Sequence, residues 1–207
     1  MAYLVERLDL RAGRVVLDLG AGTGKLARLL VPCGARVVAV EPVAAMRALI
    51  PPCVESVPGT AEAIPLPEAS VDAVTVAQAF QWFRRDEALA EIDRVLRPGG
   101  GLALVANLRD ESDPLQRAFA AVLERHRAHP PLEVDVAFAG EVKRFAHVHE
   151  LRRGGELALL AESETSIAAL DGGAREAALR DFAALAPPAS RVRLRYVTEV
   201  RVTRRGA

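Results

Sequence analysis

The chain has 207 residues, enough to bury about 70% of the surface it would expose unfolded, so its core needs no disulfide or metal staples. Apolar residues make up 51% and charged residues 26%, which excludes a disordered chain, a collagen-like repeat and a coiled-coil rod. The 27 basic and 27 acidic residues cancel, leaving no global field to draw in nucleic acid or an anionic membrane, and neither is expected as a partner.

Cys33 and Cys53 match no zinc or redox spacing and read as buried free thiols of a reducing cytoplasm. Glu6, Arg7 and Asp9 stand where a signal peptide needs an apolar run, and no run reaches the roughly 18 apolar residues of a spanning helix. The expectation is a cytoplasmic protein.

The first half alternates short β-branched runs with helical patterns, as a parallel sheet covered by helices on both faces requires. Residues 15–20 read as the first strand. A helix follows over 25–31, with Leu26, Leu29 and Leu30 on one face, until Pro32 and Gly34 end it. Residues 35–41 read as the second strand, 43–49 as a helix and 53–57 as a short third strand. The fourth strand, 70–78, is nearly continuous in apolar character and belongs at the sheet centre. A helix over 87–96 stops at Pro98-Gly99-Gly100, ahead of a fifth strand over 101–107.

The second half reads as a helix over 114–127, a break at Pro130-Pro131, a sixth strand over 142–149 and helices over 156–162 and 175–185. From 192 to 202 apolar residues alternate with Arg191, Arg193, Arg195, Glu199 and Arg201, which predicts a last, antiparallel strand with one wet face. The expected fold is one α/β domain over 1–207: a Rossmann-like, seven-stranded, mostly parallel sheet with helices on both faces.

The densest chemical signal is DLGAGTGKL, in which Asp18 ends the first strand and Gly20, Gly22 and Gly24 form the turn into the first helix of the sheet. A P-loop would need glycine at Leu19 and a hydroxyl at Leu26, so it is excluded. A dinucleotide fingerprint would need its third glycine at Lys25, and Asp18 fits poorly beside a pyrophosphate. The same carboxylate suits an ammonium and a sulfonium.

VVLDLGAGTG resembles the first motif of class I S-adenosylmethionine-dependent methyltransferases, with Asp18, Gly20, Ala21, Gly22, Thr23 and Gly24 in that family's register. The resemblance implies S-adenosylmethionine as cofactor, with Glu41, followed by Pro42, at the end of the second strand accepting both ribose hydroxyls. Residues 59–83 resemble the next block, which implies Ala61 and Glu62 near the adenine and Ala77 and Gln78 beneath the methionine end. Residues 94–104 resemble the family's helix, turn and fifth strand, a scaffold, and the likeness covers 14–106 in all. The subgroup it most resembles methylates small molecules and has a His-Trp-Phe triplet after the fourth strand; YVTEV, 196–200, is similar to that subgroup's last strand. Here Gln81 replaces the His, so a proton-transfer role does not carry over, although Gln81 and Trp82 remain substrate-pocket candidates. Phe80, Trp82 and Phe83 either stack a substrate ring or pack the pocket base.

The resemblance thus implies methyl transfer to a small-molecule acceptor. A carboxylate acceptor would need no protein base, whereas a hydroxyl or carbon acceptor would, and His147 or His149 is a candidate for it. His126, His129, His147 and His149 specify no tetrahedral set, so no metal is expected. The family's closing segment lies upstream of the equivalent of Tyr3, where this chain begins. The expectation is therefore slow transfer, or cofactor binding without transfer, unless an upstream segment, a second copy or a partner covers the pocket, or residues 132–190 close it.

Overall fold

The computed structural model describes residues 1–126, 140–162, 164, 167 and 170–206. In chain order the elements are α1 (Ala2–Arg7), β1 (Val15–Leu19), α2 (Lys25–Leu30), β2 (Arg36–Val40), α3 (Ala44–Arg47), β3 (Glu55–Val57), β4 (Val71–Ala77), α4 (Arg85–Val95) and β5 (Leu96–Arg109). Then follow α5 (Pro114–His126), β6 (Glu141–Leu151), α6 (Glu156–Glu162), α7 (Gly172–Ala183) and β7 (Val192–Arg204). They build a seven-stranded sheet of order β3-β2-β1-β4-β5-β7-β6. The four pairs from β3 to β5 are parallel, and β7 runs antiparallel to both β5 and β6. The fold class read from the sequence is the one observed.

Chain packing divides into two compact units. The first holds everything up to Ala106 together with residues 140–143 and β7 from Glu199 onward; the second holds Asn107 onward through α5, then Arg144 to Thr198. Within the first, alternation along each strand sends successive side chains to opposite faces. Leu17, Val38, Val74 and Leu102 enter one cluster with Ala88, Ile92 and Val95 of α4. Val16, Val37, Ala73 and Ala103 enter the other with Leu4, Ala27 and Leu30. In the second unit the Phe119 and Phe182 rings meet at 4.5 Å, tilted by 42°, with Leu123, Leu157, Ile167 and Leu194 around them. The Arg109 guanidinium lies 4.2 Å above the Phe119 ring and pairs with Glu164.

Several boundaries differ from the sequence reading for local reasons. Leu96 is already extended and pairs with Val71, so the helix ends at Val95, and Pro98-Gly99-Gly100 loops out within β5 before pairing resumes at Ala73 and Gly101. That tripeptide is a bulge and not a spacer between helix and strand. The third strand begins only at Glu55, because the turn after Pro51 closes with Val54 N–H on the Pro51 carbonyl. The helix expected over 43–49 keeps four residues. The helix expected over 175–185 starts earlier, at Gly172, because Asp171 caps it by accepting from the Ala174 N–H. Leu29 is exposed, the buried face of α2 running instead through Ala27 and Leu30. Glu199 is not on a wet face: it is buried and accepts from Arg201 Nε at 2.7 Å. Cys53 is exposed and Cys33 half-buried, and both are free. Sequence patterning offered no sign of α1, a six-residue helix with Leu4 buried. Arg127 and the Pro130-Pro131 break lie outside the described residues.

At the amino ends of β1 and β4, Asp72 accepts from Val15 N–H (2.8 Å), Arg14 (2.8 Å) and Arg97 (2.6 Å). Burial would raise its carboxyl, but the Val15 N–H and the two guanidiniums outweigh that and hold it below the ordinary aspartate range. A depressed acid stabilises the fold above its unfolded value and loses that contribution as pH falls through the folded one. Stability from Asp72 is thus expected to persist above about pH 4 and to fade below it. Asp72→Asn should lower the melting temperature at pH 7 by roughly 2–8 °C, after allowance for screening of the half-exposed arginines, and should flatten the acid slope. Equal melting curves for both proteins from pH 7 to pH 3 would contradict this.

Candidate functional site

Every residue singled out from the glycine turn to the aromatic triplet lies in the first unit, at the carboxyl ends of β1, β2 and β4 or in the loops that follow β1 to β4. Ligands of open parallel sheets bind at such ends, where the strand order reverses; here β1 sends neighbours β2 to one side and β4 to the other.

Gly20, Gly22 and Gly24 all have positive φ, at 67°, 57° and 76°. They serve different ends. A Cβ on Gly20 would stand 2.7 Å from that of Ala79, so its bare backbone lets the loop after β4 approach the turn. A Cβ on Gly24 would press on Pro51 and Ile50 at 3.1 and 3.3 Å. Above Gly22 nothing lies within 4 Å, so this glycine borders open space. The turn is tied to β2 by Gly20 and Ala21 N–H groups, both donating to the Val40 carbonyl.

Glu41 closes the turn from the next strand. Its side chain is buried, with Oε2 accepting from Gly22 N–H at 2.8 Å and Oε1 from Val43 N–H at 2.9 Å. Arg47 reaches back from α3 to the Glu41 and Pro42 carbonyls. A carboxylate offers about four lone-pair directions, so two donors leave capacity for a diol. Pro42 itself is exposed.

Asp18 is buried and takes the Thr75 hydroxyl on Oδ1 at 3.0 Å, while Oδ2 has no hydrogen-bond partner. Burial raises its carboxyl to about 7, against the lowering effect of Thr75 and of the Ala27 backbone. Thr75 escaped the sequence reading. Its signal was present, since a lone hydroxyl inside a strand buried on both faces must bond to something.

After β4 the chain turns sharply. Gln78 has φ 55°, its N–H held by the Val105 carbonyl and its own carbonyl accepting from Gln81 Nε2 at 2.9 Å. Positive φ at a non-glycine residue is strained, and such strain collects at functional sites. Gln81 thereby shapes the loop after Ala77. Trp82 is 58% exposed, while Phe80 and Phe83 meet edge to face at 5.8 Å and pack with the core cluster. Ala61 packs in the same core cluster as Ala79 and Phe80. Glu62 accepts from Arg84 N–H at 2.8 Å, and this bond with others outweighs desolvation and lowers its carboxyl.

The described histidines belong to the second unit. His126 Nε2 meets Asp181 at 2.8 Å. His147 stacks on Tyr196 at 5.6 Å with Nδ1 3.3 Å from the Thr198 hydroxyl, and His149 is exposed. His129 lies outside the described residues. Among the described residues no three His, Cys, Asp or Glu side chains gather as a metal site would require.

A buried acid with one idle oxygen, a second acid with spare acceptor capacity and open space over a glycine together suit a ligand that carries a cation and neighbouring hydroxyls. A family model described as a methyltransferase domain matches residues 17–104. An uncharacterized methyltransferase of Mycobacterium tuberculosis is 57% identical over 104 residues, 48% of this chain and 42% of that protein. A malonyl-[acyl-carrier protein] O-methyltransferase of Methylococcus capsulatus is 36% identical over 163 residues, 71% of this chain and 59% of that protein. The chain spans about half the length of the curated relatives it matches. A solved structure from Anaeromyxobacter dehalogenans, assigned as a type II methyltransferase, superposes over 100% of this chain and 97% of that one with a TM-score of 0.73 at 23% identity, a likeness of fold. The matched segment begins within β1 and ends within β5, so it contains each side chain of the turn, of its latch to Glu41 and of the loop after β4, and over these residues the chain carries a methyltransferase domain.

Proposed function

We propose that this chain transfers a methyl group from S-adenosylmethionine to a small-molecule acceptor, both units forming one methyltransferase domain. The observation that carries the reading is the latch between Glu41 and Gly22, which holds the glycine turn open on the side where Gly22 has no neighbour. The residues present fit the cofactor: Asp18 has an unpartnered buried oxygen for a cation, and Glu41 keeps acceptor capacity for the ribose hydroxyls.

When bound, S-adenosylmethionine supplies both the methyl group and its own leaving group. The chain's share is orientation, which is worth many orders of magnitude in effective concentration when the reacting atoms are aligned. Gly20 permits the loop after β4 to close on the turn, Gln81 fixes the Gln78 bend, and Glu62 joins the loop after β3 to the start of α4. A cytoplasmic location belongs to the same proposal and is supported by the two unpaired cysteines. Among the described residues no helix is long and apolar enough to cross a membrane.

S-adenosylhomocysteine at about a hundred times its dissociation constant should stabilise the protein by about 2.7 kcal/mol, a rise of roughly 5–10 °C in melting temperature. Trp82, being exposed and the only tryptophan, should register the loop's response in its fluorescence. Labelled methyl groups should then pass from S-adenosylmethionine into small molecules of a metabolite extract. An unchanged melting point with no calorimetric heat at millimolar ligand would defeat the cofactor assignment, and binding without any labelled product would defeat the transfer.

A further inference from the structure

Inside a protein an ionised carboxylate is stable when both oxygens find donors or a cation. Asp18 meets that condition only in part, with the Thr75 hydroxyl and the Ala27 backbone near its carboxyl and no cation. It stands near the end of β1, two residues before the glycine turn, with 1% of its surface exposed. Thr75 serves Oδ1, and Oδ2 is idle. The packed elements bring no countercharge to it. β2 sets Ala39 beside it in register, β4 sets Thr75, and α2 contributes Ala27 while its charged Lys25 and Arg28 are exposed. Glu41, the other buried acid of the turn, gives its oxygens to Gly22 and Val43.

We propose that Asp18 retains a proton in a large share of the free protein at and below neutral pH and gives it up as the cofactor's α-ammonium arrives, so that cofactor binding there releases a proton to solvent. The inference rests on the S-adenosylmethionine reading above. The proton leaves the idle Oδ2 for the buffer, and the ammonium becomes the countercharge of the new carboxylate; no bond to carbon or sulfur changes. Burial supports this, since it holds the carboxyl at about 7, where neutral and charged forms are both accessible near neutral pH. A buried neutral acid also selects for a ligand that brings positive charge, because any other occupant would leave the ionised form uncompensated.

The test is calorimetric titration of the full chain with S-adenosylhomocysteine, which has the ammonium without the sulfonium, in pairs of buffers that differ in ionisation heat. For a group that titrates at about 7, release should approach about 0.9 proton per ligand at pH 6, about half at pH 7 and about a tenth at pH 8. Affinity should be roughly tenfold tighter at pH 8 than at pH 6. Methylthioadenosine, which lacks the amino-acid end, should bind with no proton release. Asp18→Asn should bind S-adenosylhomocysteine without release and without the pH slope; if that variant does not fold, the comparison of the two ligands on the native chain decides alone. Binding with equal heats in both buffers at pH 6 and pH 7 overturns the proposal, as does equal release with methylthioadenosine. Absence of any S-adenosylhomocysteine binding is a different result, and it overturns the cofactor reading itself.

Discussion

Replacing Gly22 by alanine is expected to reduce S-adenosylhomocysteine binding by at least about a hundredfold, about 2.8 kcal/mol, while the protein stays folded. The new Cβ meets no protein atom within 4 Å, so the fold bears only the strain of an alanine at φ 57°, about 1–2 kcal/mol. In the proposed complex the same methyl group occupies the cofactor's space. Gly20→Ala supplies the contrast. Its Cβ would stand 2.7 Å from that of Ala79, so overpacking adds about 1–3 kcal/mol to the strain of positive φ, and the melting temperature should fall further than for Gly22→Ala. Adding Ala79→Gly should recover most of the steric part, leaving the contact with the Phe83 ring at 3.2 Å and the strain. Wild-type affinity in a folded Gly22→Ala protein would show that the open space over this glycine is not where the cofactor lies.

Glu41→Ala should damage two properties at once. Loss of charged hydrogen bonds to the ribose costs about 1.5–3 kcal/mol, or roughly ten- to a hundredfold in affinity. The structure adds a second cost, because Gly22 and Val43 N–H groups both lose their acceptor. Stability should drop by about 2–4 kcal/mol, a fall of roughly 5–15 °C in melting temperature. Glu41→Gln keeps one carbonyl oxygen for one of those groups and should recover part of the stability but little of the affinity. The check is to measure melting and binding on the same preparations, titrating well below each transition. A Glu41→Ala protein that melts and binds like the wild type would place Glu41 outside both roles.

The turn residues were legible in the sequence because their demands are local. Asp18 and the three glycines follow one another on a strand-to-helix turn, and positive φ at each glycine is a property of the single residue. The role of Glu41 was legible only by resemblance. That it holds Gly22 is invisible in the spacing, since 19 positions separate them and parallel pairing of β1 with β2 is what brings them together. Thr75 lies 57 positions from Asp18 and meets it for the same reason, through the pairing of β1 with β4. Gln81 illustrates the opposite case: as a pocket candidate it was read for its chemistry, and the structure gives its amide a backbone task in bending the chain at Gln78.

Patterning errors share one cause. Apolar periodicity states that a residue prefers burial, and it does not state whether a neighbour is there to bury it. Leu29 has the helical spacing of a core residue and faces solvent, while Glu199 has the alternation of an exposed charge and is buried. The sequence by itself determined the alternation of strands and helices, the parallel character of β4 and the chemistry of the glycine turn, because each follows from side-chain period and backbone sterics within a few residues. Only the tertiary structure decided that Pro98-Gly99-Gly100 is a bulge within β5, that Glu41 latches the turn and that one oxygen of Asp18 is left without a partner. Those are outcomes of strand register and close packing between distant segments, and no local preference of the chain contains them.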